Sequence, residues 1–146
     1  YCLETEAGRQ YGPVAEKPPE APLNDPHAIR LQQFRPRYGE DITDKTLAQE
    51  TGIEKALHFQ KGCYLGQEIV ERIRSRTHVN RMLSGLLFET EAPPPGTKVF
   101  ANEAEAGKIT SSSGKYAIAM LKREHTKPNT TLTANSQKAV THPISC

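Results

Sequence analysis

From Asn80 onward the chain consists of short apolar runs separated by turn residues, and that spacing leaves few architectures open. Residues 81–89 read RMLSGLLFE, an apolar run with one glycine, which suggests a buried strand with a bulge. Residues Pro93 to Gly96 punctuate it, TKVFA follows, and then AGKITS, a turn at Ser113-Gly114 and KYAIAMLKRE. In that last run Tyr116, Ile118 and Met120 alternate with Ala117, Ala119 and Leu121, the period-two pattern of a strand with two distinct faces. After Pro128, NTTLTAN supplies a final strand, and Ser136 to Cys146 are expected to fray. Several short strands at this spacing predict a small antiparallel barrel or sandwich.

The preceding half is punctuated differently. Residues 15–27 (AEKPPEAPLNDPH) are rich in proline and poor in apolar residues, which predicts a surface loop or insertion. From Ala28 on, Ile29, Leu31 and Phe34 recur on a short helical or mixed face before Pro36, Gly39 and Asp41 mark a turn. Thr43 to Leu57 reads as a short helix with Leu47, Ile53 and Leu57 loosely spaced and Gly52 interrupting it.

Residues 59–72, FQKGCYLGQEIVER, carry the chemistry. Cys63 sits between Gly62 and Tyr64, two residues from Lys61 and just ahead of a helical pattern; nearby charge, close backbone approach and a helix dipole all favour a thiolate. On residue type and spacing alone, Cys63 reads rather as a small buried hydrophobe. Leu65, Ile69 and Ile73, with Val70 beside them, form the helix's apolar stripe, and Glu68 to Arg72 and Glu71 to Arg74 are placed to pair across one turn. His58 is close enough in sequence to act as a base for Cys63, or is an exposed spacer. Next, Arg72, Arg74, Arg76 and His78 alternate with Ile73, Ser75, Thr77 and Val79; an extended chain would gather the positive groups on one face, either for a polyanion or as a solvated edge.

At 146 residues the chain can bury one modest core or two small ones. A net charge of +2 and a pI near 8.5 neither demand nor exclude a nucleic-acid partner. Cys2, Cys63 and Cys146 are odd in number and far apart, which argues against a disulfide framework and for a reducing compartment. Without CxxC or paired histidines, no metal site is expected. No apolar run is long enough to span a membrane, and the chain starts at Tyr1, as the C-terminal piece of a longer protein would. The Asn129-Thr130-Thr131 sequon reads as chance.

The string KGCYLGQE resembles the K-G-C-Y/F-x-G-Q-E signature of the YgfZ family of folate-binding, tRNA-modifying proteins, relatives of the glycine cleavage T-protein (aminomethyltransferase). Lys61, Gly62, Cys63, Tyr64, Gly66, Gln67 and Glu68 occupy its fixed positions, and Arg72 ends the densest stretch of the match. A second region resembles the family's R-x-E-x-G-x-P-x-Y-G-x-D followed by L-P-Q-E, matched at Arg30, Pro36, Tyr38, Gly39, Asp41, Leu47, Gln49 and Glu50. Gln32 stands where the family carries a pterin-binding glutamate, Phe34 where it has glycine and Ala48 where it has proline. An amide offers one donor and one acceptor where a carboxylate accepts two, so Gln32 implies a weaker hold on the pterin edge.

The resemblance implies an α+β chain, with residues 1–79 the C-terminal part of a T-protein-like folate-binding domain and 80–146 a small antiparallel β-barrel. It implies tetrahydrofolate as cofactor, contacted by Arg30, Gln32 and Tyr38, and Cys63 as a reactive thiol. The implied role is assisting iron-sulfur cluster assembly or repair, and thereby tRNA modification. Partners would be iron-sulfur proteins or assembly factors, with direct tRNA contact a weaker expectation, in the bacterial cytoplasm or the mitochondrial matrix. The family's first half, with the catalytic aspartate of true aminomethyltransferases, lies outside this chain, so catalysis by this part alone is not expected. Two alternatives stay open: an aminomethyltransferase, whose branch has aspartate at the position of Cys63, and an RNA-binding module using Arg72, Arg74, Arg76 and Arg81.

Overall fold

A computed structural model describes residues 2–5, 8–11, 25–53, 57–58, 62–76 and 79–145, and for 2–5, 8–11 and 73–76 the backbone path. Strands β1 (Cys2–Thr5) and β2 (Gly8–Tyr11) form an antiparallel hairpin in a stretch where the residue pattern announces no element. The later strands are β3 (Arg81–Phe88), β4 (Lys98–Ala101), β5 (Ala104–Ser113), β6 (Tyr116–Lys122), β7 (Thr131–Ala134) and β8 (Gln137–His142). They close into an antiparallel barrel in the order β3-β6-β5-β4-β7-β8, with β8 pairing back onto β3. Closure removes both open edges of the sheet.

The strand that completes the barrel lies where fraying was expected. Ala134 pairs with Gln137, leaving Asn135 and Ser136 as a two-residue turn with φ of 50° and 66°. This is the geometry of a tight hairpin whose twist matches its strands, formed here without the glycine that usually signals it.

Alternation along β6 sorts its residues as the sequence pattern requires. Ala117, Ala119 and Leu121 join Leu86, Phe88, Val99, Ala106, Ile109, Leu132, Ala134 and Ala139 inside the barrel. A six-stranded barrel is narrow, and the several alanines among these residues fill it without strain. On the outer side Ile118, with Tyr116 and Met120 against it, packs with Leu83, Leu31, Ile42 and Ile144. Strands β3 and β6 are thus covered on both faces, which is why RMLSGLLFE reads as a continuous apolar run.

Gly85 does not mark a bulge: it keeps register with Ile118 on one side and His142 on the other. Its role is clearance. A Cβ there would lie 2.3 Å from the ring of Phe34, which stacks on His142 at 5.1 Å and meets Tyr116 edge-on at 6.0 Å. Phe34 itself sits at φ 48°, a left-handed conformation that suits glycine, so ring packing offsets backbone strain. The bulge of functional interest falls in β5, where Thr110 and Ser111 together oppose Ile118.

Helix α1 (Pro26–Gln32) begins inside the stretch expected to be loop. Asp25 accepts from the His27 N–H at 3.0 Å and Pro26 occupies the first turn, a capped start that overrides the proline-rich context; residues 12–24 lie outside the described part. The helix buries Leu31 completely against the barrel. Thr43 to Leu57 is not a helix: its described residues contain one 3-10 turn, Ala48–Thr51, ended by Gly52 at φ 71°. Upstream, the Thr43 N–H donates to Thr46 Oγ1 and the Lys45 N–H to Thr43 Oγ1, local bonds that compete with helix formation. Helix α2 (Gln67–Arg76) continues through Arg76, so the two-residue alternation of Arg72, Arg74 and Arg76 falls on helical backbone and not on an extended strand with one positive face. Thr77 and His78 lie outside the described residues.

Substituting Gly85→Ala should cost about 1–3 kcal/mol, because the Phe34 ring must leave its seat. In a Phe34→Gly background the same substitution should cost less than about 1 kcal/mol, and urea denaturation of the four proteins reads the coupling directly.

Candidate functional site

Helix α1, the loop that follows it and strand β5 meet at the side chain of Asp41, which is fully buried. A desolvated carboxylate is tolerable only if its lone pairs are occupied, and here each oxygen takes two donors. Oδ2 accepts from Arg30 Nη1 at 2.9 Å and from the Arg37 backbone N–H at 3.0 Å. Oδ1 accepts from Thr110 Oγ1 at 2.5 Å and from Ser111 Oγ at 2.6 Å. Thr110 Oγ1 also lies 3.0 Å from the Ile118 carbonyl, but its single proton favours the closer, charged acceptor. Adjacent residues of a regular strand face opposite ways; the bulge in β5 is what brings both hydroxyls to one carboxylate.

Arg30 is committed to this cluster. Its guanidinium bridges Asp41, Glu40 and the Arg35 carbonyl, and its Nη2 lies 3.3 Å from His27 Nδ1. His27 Nε2 in turn approaches the Ser112 carbonyl at 3.4 Å. Together these contacts fasten α1 and the following loop onto β5. They leave Tyr38 and Gln32 facing solvent, Tyr38 at 71% exposure.

A second anchor lies nine residues on. Glu50 is buried, and its Oε1 accepts from Arg81 Nε at 2.8 Å while Oε2 accepts from the Leu47 N–H at 3.0 Å. The bond to Glu50, and then its charge, hold the Arg81 guanidinium above its ordinary pKa, so this cation does not switch over any accessible pH. The neighbouring Gln49 donates from Nε2 to the Val70 carbonyl at 3.1 Å. One short turn thereby ties α2 on one side and the first barrel strand on the other.

The signature stretch precedes and opens α2. Lys61 lies outside the described residues; Gly62 is exposed, and Cys63 is an exposed, free thiol. Gly66 takes φ 89°, and its carbonyl accepts from Ile69 and Val70, so the motif's second glycine makes the turn into the helix. The Gln67 N–H reaches back to the Tyr64 carbonyl at 3.2 Å. Glu68 pairs with Arg72 at 2.8 Å across one turn, as its spacing implies. Leu65 is fully exposed and Ile69 is 58% exposed, so these two members of the expected apolar stripe face outward. The side chain of Ile73, like that of Arg74, lies outside the described part. His58 is exposed.

The arrangement therefore offers an accessible thiol, an exposed amide at the end of α1 and an exposed tyrosine on a loop locked to the barrel. Among the described residues no three metal-ligating side chains converge. Thr110 and Ser111 were not legible as functional positions, because the run TSSS shows nothing of the bulge that aims both of them. Asp41→Asn should destabilise the chain by about 3 kcal/mol, since it leaves Arg30 without its buried partner. Ser111→Ala should cost about 2 kcal/mol by removing one bond to a charged acceptor. Denaturation midpoints check both, and hydrogen exchange should show α1 opening first.

Comparison with known proteins agrees with this geometry. The family model described as the CAF17 C-terminal beta-barrel domain matches residues 72–144. An aminomethyltransferase of Koribacter versatilis is 33% identical over 110 residues, covering 74% of this chain and 27% of that protein. The mitochondrial iron-sulfur cluster assembly factor IBA57 of Mus musculus is 30% identical over 117 residues, covering 72% and 32%. In structure, the glycine cleavage system aminomethyltransferase T of Bartonella henselae superposes with a TM-score of 0.67 at 20% identity, covering 82% of this chain and 36% of that one. The chain spans only about a quarter to a third of the length of these two curated relatives. With the barrel closed in the observed order and the match running through all six of its strands, the chain belongs to the family of the CAF17 C-terminal β-barrel domain, among relatives that include aminomethyltransferases and IBA57.

Proposed function

We propose that this chain is the barrel-bearing part of a YgfZ- and IBA57-like protein that assists iron-sulfur cluster assembly or repair, and through it the thiomethylation of tRNA. The observation that carries the reading is Cys63: a free, exposed thiol in the K-G-C motif at the entrance to α2, where the aminomethyltransferase branch has aspartate. A deprotonated Cys63 exchanges with a thiolate ligand of a partner's cluster. One iron–sulfur bond forms as another breaks, and the proton given up by Cys63 passes to the displaced thiolate.

Tetrahydrofolate is the proposed cofactor. Gln32, exposed at the end of α1, and Tyr38, exposed on the locked loop, meet it, and Arg30 acts by holding that loop through Asp41. The outward-facing Leu65 and Ile69 fit a chain whose relatives carry a larger remainder of the fold able to cover them. The protein works where clusters are built, in the bacterial cytoplasm or the mitochondrial matrix. An aminomethyltransferase is the second reading, favoured by the name of the Koribacter versatilis relative, and the residue at position 63 speaks against it.

In cells lacking the corresponding factor, a gene encoding Cys63→Ser should fail to restore iron-sulfur enzyme activity while its product accumulates normally. Native protein should also react with iodoacetamide at Cys63 about as fast as unfolded protein does. Full rescue by Cys63→Ser, or a thiol that reacts only after denaturation, would remove the proposed chemistry.

A further inference from the structure

At the seam between the segment leaving α2 and the barrel lies an open depression of about 630 Å³, lined by Val79, Asn80, Lys122, Arg123, Glu124 and Lys127. The Arg123 N–H donates to the Asn80 carbonyl at 3.0 Å, which pins the incoming segment against the turn Arg123–His125. Lys122, Arg123 and Lys127 are all exposed. Glu124, the carboxylate of the lining, lies 3.3 Å from His125, and the charge of Lys122 also acts on Glu105. Among the described residues, three cations against one carboxylate leave the wall net positive. Its surface between the charges is aliphatic, made of Val79 and the stems of the lysines and the arginine.

We propose that this depression docks an acidic, amphipathic peptide segment of a partner protein. Carboxylates of the segment face Lys122, Arg123 and Lys127, and an aliphatic side chain sits on Val79 and the lysine stems. Charge complementarity of this kind steers encounter and fixes the register of a partner. The chemistry of the wall favours a peptide over a nucleic acid. Surfaces that track single strands combine cations with stacking aromatics, and among the described residues this lining has no aromatic side chain. A continuous line of phosphates would also pass Glu124, whereas a peptide can set an uncharged residue opposite it. The inference stands on the barrel and residues 79–80 and does not depend on Cys63.

The test is fluorescence anisotropy on the full chain at low ionic strength with three probes. They are a labelled dodecapeptide repeating Asp-Leu-Glu-Glu, the same peptide with serine for leucine, and an oligouridylate of equal length. The leucine-containing peptide should bind tightest. Lys122→Glu, Arg123→Glu and Lys127→Glu combined should weaken it by at least about tenfold, and Glu124→Lys should strengthen it about threefold, with thermal unfolding unchanged in both. Cys63→Ser should bind as the parent does. Peptide binding that is absent or unaffected by the charge reversals would overturn the proposal. Equal binding of the serine peptide would remove the apolar floor from it, and tighter binding of the oligouridylate, lost in the same triple variant, would replace it with a nucleic-acid site.

Discussion

The upstream half of this chain is organised by one desolvated carboxylate. Asp41 would be costly to bury alone, and it becomes an anchor because four donors from three separate stretches converge on it. Two of those donors come from a barrel strand, one from the loop that holds Asp41 itself and one from α1. Helix, loop and barrel therefore order together, and removing any donor loosens the others. The sequence separation of about 70 residues between Asp41 and Ser111 means that this order arrives only once the barrel has closed.

Glu50 and Gln49 extend the same logic toward the signature helix. Leu65, just ahead of α2, and Ile69 within it face outward, and among the described residues the polar link from Gln49 to Val70 helps seat the helix. An element held this way belongs to the less stable part of a fold, where exposed and adaptable functional groups are drawn from. Cys63, just ahead of it, is placed on that adaptable part and not on the rigid barrel. The barrel gives the position, and the helix entrance gives the access.

The fit between sequence and structure varies with how local each cause is. Period-two alternation placed Tyr116, Ile118 and Met120 opposite Ala117, Ala119 and Leu121, and two separate cores bear this out. The i to i+4 spacing of Glu68 and Arg72 likewise produces the pair it implies. β8 escaped because its turn lacks glycine, and the start of α1 escaped because Asp25 and Pro26 sit in a proline-rich stretch whose composition masks a capping pair. Gly85 was read as a bulge when its cause is a ring more than fifty residues away in sequence, which no local pattern carries. The arginine alternation failed for a simpler reason: a helical run lacking a stop signal continues, and a period of two means nothing inside it.

By itself, the sequence determined the strand-rich second half, the turn into α2 at Gly66 and the identity of the motif around Cys63, because each follows from neighbouring residues and the backbone they permit. Only the tertiary structure decided that Thr110 and Ser111 share one carboxylate, that Arg30 is a clamp and not a free hand, and that Leu65 faces outward while Leu31 does not. Those outcomes depend on which distant surfaces meet when the barrel closes. A carboxylate's neighbours, unlike a helix's period, are not written in the residues beside it.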